Sequence, residues 1–154
     1  MAEKLLEVSH LKKYFPIKSG VLKKTVGYVK AVDDVSFSIA KGRVMGLVGE
    51  SGCGKSTTGR TILRLLQATE GKVRFGGQDV YALSKHDAKK MRMLMQMIFQ
   101  EPYSSLNPRL PVSEIVGEAM LQHGIAANKK QMHDKVVEVI QKCGLFPEQA
   151  TRYP

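Results

Sequence analysis

A chain of 154 residues has the size of one compact domain and can bury a core. Its 43% hydrophobic and 6% aromatic content, without low-complexity stretches or internal repeats, excludes a disordered tail and a solenoid. The 24 basic residues against 14 acidic ones give +10, a bias toward anionic partners such as phosphates rather than a site.

Two cysteines, Cys53 and Cys143, offer neither a disulfide framework nor a metal-ligand spacing, so reduced thiols are expected. No apolar run reaches membrane-spanning length, and any membrane contact is expected through a partner. The lysine pairs Lys12-Lys13, Lys23-Lys24, Lys89-Lys90 and Lys129-Lys130 have no stacking aromatics between them and read as solvated surface, not a nucleic-acid face.

Leu5 to Ser9 reads as a first strand, and Ala31 to Ile39 as a later one whose Val35, Phe37 and Ile39 share a face. Between them, Pro16 to Lys30 carries turn residues Ser19-Gly20 and Gly27 and reads as an inserted hairpin or loop. After the turn at Lys41-Gly42, Val44 to Val48 has the pattern of a short buried parallel strand. A helix is expected from Lys55 to Gln67, with Ile62, Leu63, Leu65 and Leu66 inward and Gly71 just past its end.

Lys72 to Phe75 looks like an edge strand, and Ser84 with Asp87 resembles a capping box opening a basic helix. Met91, Met93, Met95 and Met97 recur at period two; without His or Cys beside them they read as core packing rather than a soft-metal site. Pro102, Asn107-Pro108 and Pro111 then punctuate a loop. Ser113 can cap a helix burying Ile115, Val116, Ala119 and Met120 and stopping at Gly124. A second helix runs from about His133 to Cys143, with Val136, Val137 and Ile140 inward and Gly144 as its stop. The tail from Phe146 to Pro154 shows no periodicity.

Gly49-Glu50-Ser51-Gly52-Cys53-Gly54-Lys55-Ser56 matches the P-loop pattern G-x-x-x-x-G-K-[ST], with an apolar run before it and an amphipathic helix after it. Glycines let successive N–H groups turn inward as an anion nest, and the helix beginning near Lys55 adds its positive end. Lys55 would reach the β- and γ-phosphates, Ser56 would ligate Mg²⁺, and Thr57 is placed to bond the α-phosphate. Cys53 occupies a free position of the pattern and contributes backbone.

Three stretches together resemble the nucleotide-binding subunit of an ABC transporter: Ala31 to Phe37, Gly46 to Thr57, and Ile98-Phe99-Gln100-Glu101-Pro102. Tyr14 to Gly20, the insert before Val29, and Pro102 to Arg109 are similar to the dipeptide/oligopeptide importer branch. The resemblance implies an α/β fold: a P-loop NTPase core with an antiparallel β subdomain at its N-terminus and the start of an all-helical subdomain. Residues 1–110 would be the core and 111–154 the helical part.

The resemblance further implies ATP and Mg²⁺ as cofactors, with Lys55 and Gln100 in catalytic roles and Ser56 and Gln100 at the metal. Gln100 matches the glutamine of the Q-loop, near the attacking water. Phe15 aligns with the aromatic that stacks on adenine, and Tyr14 is the alternate. Implied partners are a second nucleotide-binding subunit, transmembrane permease subunits and, indirectly, a solute-binding protein, at the cytoplasmic face of the membrane; no nucleic acid is among them.

The family's Leu-Ser-Gly-Gly-Gln signature, its apolar strand ending in Asp-Glu and its switch histidine do not occur in these residues. On the resemblance, the chain is expected to be the N-terminal portion of such an ATPase, binding MgATP but hydrolysing it poorly or not at all. It also leaves Val44 to Val48 without the strand normally beside it, exposing an unpaired edge. Two other readings stay open, a binding-only P-loop module and a nucleic-acid-associated P-loop ATPase.

Overall fold

Residues 3–21, 23–101 and 103–154 are described by the structure, a computed structural model. The chain divides into two compact units, Met1–Gln96 and Met97–Pro154. Pro102, expected to punctuate a loop, lies outside the described residues.

In the first unit, β1 (Lys4–Ser19), β2 (Lys24–Ala40), β3 (Glu70–Phe75) and β4 (Gln78–Asp79) form an antiparallel sheet in the order β2-β1-β3-β4. The Pro16 to Lys30 insert is the distal half of the long β1–β2 hairpin. Lys72 to Phe75 is not an edge: β3 lies between β1 and the short β4.

Val8 and Leu11 are both buried although three residues apart, a spacing that in a regular strand would send one of them outward. An extra residue in β1 corrects this: Val8 pairs with Phe37 but Leu11 with Val35, and His10 in the bulge has φ 48°. A second bulge in β2, with Asp34 at φ 59°, likewise brings Val32 back to the face of Val35. The bulges hold each other, His10 Nδ1 lying 2.8 Å from Asp34 Oδ1 and the His10 N–H donating to Ser36 Oγ at 2.8 Å.

Gly71 belongs to this bulge rather than to the end of a helix. At φ 92° it lies so close that a Cβ would strike the His10 carbonyl oxygen. The resulting core is Val8, Leu11, Val32, Val73 and Val80, with Ile62 and Tyr81 packed against it.

Helix α1 spans only Lys55–Ile62, five residues short of expectation. Arg64 turns left-handed at φ 55°, and its guanidinium donates to the Val80 and Leu83 carbonyls at 3.1 Å each. The Tyr81 hydroxyl donates to the carbonyls of Thr61 (2.6 Å) and Leu66 (3.1 Å), satisfying backbone that another helical turn would have engaged. Leu65 is consequently exposed instead of inward.

Helix α2 (Lys85–Leu94) starts as read: Ser84 Oγ accepts the Asp87 N–H at 3.1 Å and donates to Asp87 Oδ2 at 2.6 Å. The methionine run is helical to Leu94, so period two does not hold; Met91 is buried and Met93 exposed.

The expected strand Val44 to Val48 does not form. Residues 43–50 carry no strand pairing, Val44 is 100% exposed and Val48 90%. A parallel strand needs hydrogen-bonding neighbours and cover on both faces, and no described residue supplies them.

The second unit contains α3 (Val112–Gln122) and α4 (Lys129–Lys142) with 3-10 turns at Tyr103–Ser105 and Pro147–Thr151. Met132, Val136 and Ile140 of α4 form its core with Ala126 and Ala150, and Val116 and Met120 of α3 pack against them. A Cβ on Gly117 would sit 2.5 Å from Met132 Sδ, so this glycine lets the helices approach.

Ser113 does not cap α3. Pro111 holds that position, its fixed φ of −66° setting the helix start, and Ser113 is buried in the first turn; Ala119 is exposed. Asn128 caps α4 through the Gln131 N–H at 2.9 Å, beginning the helix four residues before the expected start. No helix among the described residues is long and apolar enough to cross a membrane.

Candidate nucleotide-binding site

Residues 49–57 curl around a single cation. Lys55 folds back so that Nζ donates to the carbonyls of Gly49 (2.7 Å) and Glu50 (2.6 Å) and lies 3.4 Å from Cys53 Sγ. The Cys53 N–H donates to Glu50 O at 3.3 Å, closing the turn from within. Ser51, Gly52 and Cys53 are exposed at its crest.

Gly54 is the N-cap of α1, left-handed at φ 95° and ψ 3°. A Cβ there would collide with the Ala31 carbonyl oxygen, so the absence of a side chain lets the loop exit against β2. The first bond of the helical ladder runs from the Thr58 N–H to Gly54 O at 2.8 Å. The N–H groups of Lys55, Ser56 and Thr57 therefore precede the ladder, and no acidic side chain in the first turn competes for them.

These donors, the positive helix end and the ammonium together suit a polyphosphate. Ser56 is exposed in the first turn, where its hydroxyl is a hard oxygen donor of the kind Mg²⁺ accepts beside phosphate oxygens and water. Nucleotide and metal both fit the residues present.

Phe15 and Tyr14 occupy opposite faces of the hairpin. Lys13 pairs with Val32, whose Cγ2 would lie 3.9 Å from a Cβ on Gly54, so the P-loop sits on that face. Phe15, two residues along β1, shares the face with its ring 37% exposed and the Lys13 ammonium 4.8 Å from its centroid.

Tyr14 points the other way. Its hydroxyl donates to Asp33, its ring centroid is 6.5 Å from that of Tyr28, and Lys30 Nζ lies 5.3 Å over it. The bond to Asp33 is the main cause holding the phenol above its ordinary pKa and the Asp33 carboxyl below its own.

Gln100 is exposed at a bend in the second unit, while the whole P-loop belongs to the first. The apolar residues just before it form no strand, and Ile98 is exposed. Sequence reading missed two contributors. Lys13 was recoverable, since i and i+2 share a face of a strand; the Ala31 carbonyl was not, because its contact with Gly54 is tertiary.

A profile of the ABC transporter family matches residues 32–153. The chain belongs to the ABC transporter family. It is 50% identical over 155 residues to the oligopeptide transport ATP-binding protein OppF of Bacillus subtilis (strain 168), covering 100% of this chain and 48% of that protein. To AppF of the same organism, also named an oligopeptide transport ATP-binding protein, it is 48% identical over 153 residues, covering 99% and 46%. The glutathione import ATP-binding protein GsiA of Pectobacterium atrosepticum is 42% identical over 153 residues, 99% of this chain and 24% of that protein.

The chain spans about half the length of OppF and AppF. Among solved structures, a dimeric ATP-binding cassette in a post-hydrolysis state, bound to ADP and Pi, superimposes with a TM-score of 0.73 at 23% identity, covering 97% of this chain and 61% of that one. That likeness establishes the α/β cassette fold.

Proposed function

We propose that the chain is the nucleotide-gripping part of the ATPase subunit of an ABC importer for dipeptides or oligopeptides. ATP is the ligand, and Mg²⁺, when bound, neutralises phosphate charge. Lys55 holds the β- and γ-phosphates, the N–H groups at the head of α1 cradle them, Ser56 ligates the metal and Thr57 bonds the α-phosphate. Phe15 stacks on the base, Tyr14 being engaged by Asp33. Gln100 serves the metal and attacking water and links the core, residues 1–110, to the helical part, 111–154.

The observation that carries this reading is the Lys55 ammonium held by the Gly49 and Glu50 carbonyls at the mouth of a helix free of acidic residues in its first turn. The partners would be a second such subunit and permease subunits at the cytoplasmic face of the membrane. Neither the Leu-Ser-Gly-Gly-Gln motif nor an Asp-Glu strand end occurs in these residues, which are expected to bind MgATP and to hydrolyse it poorly or not at all.

Titration calorimetry with MgATP tests the reading. Saturation at about 100 times the dissociation constant should add about 2.7 kcal/mol to stability, and Lys55→Ala should remove both heat and stabilisation. Absence of heat with folded protein, or a Lys55→Ala variant binding like the parent, refutes it. In the complete subunit Gln100→Ala should spare binding and slow turnover.

A further inference from the structure

We propose that the distal half of the β1–β2 hairpin is a lipid-contacting element that rests on an anionic bilayer surface. From Leu11 to Val32 the sequence carries six lysines and no acidic residue. Of the three nearer the rest of the sheet, Lys12 is matched by Glu70 at 2.8 Å and Lys30 by Asp33 at 3.3 Å, while the Lys13 ammonium lies 4.8 Å from the Phe15 ring centroid. Lys18, Lys23 and Lys24 are exposed around the turn, and among the described residues none of them has an ion-pair partner. The cationic charge is therefore concentrated at the far end.

The same end is apolar. Beyond Lys12, β1 pairs only with β2, and the remaining ladder to Ser19–Lys24 extends roughly 20 Å as two strands alone. Ile17 and Val29 are exposed on one face, Tyr28 on the other, and Val21 in the turn is fully exposed.

Apolar side chains on both faces and at the tip suit a medium that surrounds the element, as the interfacial zone of a bilayer does. Lysines flanking the tip can lay their stems along it and keep their ammonium groups among anionic headgroups. A nucleic acid would reward the lysines but find no use for Val21, whose side chain neither stacks nor donates. This contact is separate from nucleotide binding, which uses neither Val21 nor the tip lysines.

Flotation of the chain with phosphatidylcholine vesicles, with and without phosphatidylglycerol, tests the proposal. Binding should require phosphatidylglycerol and weaken as salt is added. Lys18→Gln/Lys23→Gln/Lys24→Gln should weaken it about a hundredfold. Val21→Asp and the milder Val21→Ser should also weaken it, with circular dichroism melting curves unchanged. Equal binding to both vesicles, full retention by the Val21 variants, or tighter binding to a DNA duplex than to phosphatidylglycerol vesicles at the same salt overturns it.

Discussion

Two stretches of the first unit are comparably apolar and meet opposite fates. β1 lies between β2 and β3, so both of its backbone edges are bonded near the core and Leu11 is wholly buried. Residues 43–50 have no strand beside them, and Val44 and Val48 face solvent. Apolar composition alone therefore does not make a strand; its backbone groups need partners. The P-loop hangs from this unpaired segment on one side. What fixes it comes from the other: the Gly54 contact with Ala31, the Lys55 bonds and α1.

The sharpest way to test the contrast is to cut side chains on the paired side. Leu11→Ala should lose about 2–5 kcal/mol in urea denaturation, because it opens a cavity among Val8, Val32 and Val73. Gly71→Ala should cost about 1–3 kcal/mol from left-handed strain, with more from the collision with His10, since the bulge that keeps Val8 and Leu11 on one face must shift. A harmless Gly71→Ala would mean the bulge is not what sets the register.

What the sequence disclosed was local. The P-loop pattern, the Ser84 cap, the helix stops at Gly124 and Gly144 and the alternation of Val35 and Phe37 each need only a few neighbouring residues to be recognised. What stayed hidden depends on distant ones. The bulges at His10 and Asp34 exist because they meet each other, and α1 ends early because Tyr81 reaches back to the Thr61 carbonyl while Arg64, just past the helix end, bonds the Val80 and Leu83 carbonyls. The parallel strand is the converse case: a local pattern satisfied in full and left unformed for want of a neighbour. At the site, Lys55 and Ser56 were legible from spacing, whereas the sidedness of Phe15 and Tyr14 required the register of the hairpin.

Tyr81 is a smaller perturbation on the paired side. Tyr81→Phe should cost about 1–2 kcal/mol by leaving the Thr61 and Leu66 carbonyls without their shared donor. Burial is the main cause raising the phenol's pKa, so its folded-state value lies above the unfolded one. The stabilisation is then complete below about pH 10 and declines as pH climbs through the folded-state value, a decline that should be smaller for Tyr81→Phe in alkaline unfolding, the Tyr14 phenol contributing the same sign in both proteins.

The smallest effect is expected on the unpaired side. Val48→Thr keeps the branched shape and exchanges a methyl for a hydroxyl at a position already 90% exposed, so it should move stability by no more than about 0.5 kcal/mol. Were this side chain packed between a sheet and a helix, the same change would bury an unsatisfied hydroxyl and cost about 1–3 kcal/mol. The size of that loss thus reports whether the segment before the P-loop has found a neighbour. A loss above about 1 kcal/mol in this chain would mean that residues 43–50 are covered in solution, and the contrast with β1 would fail.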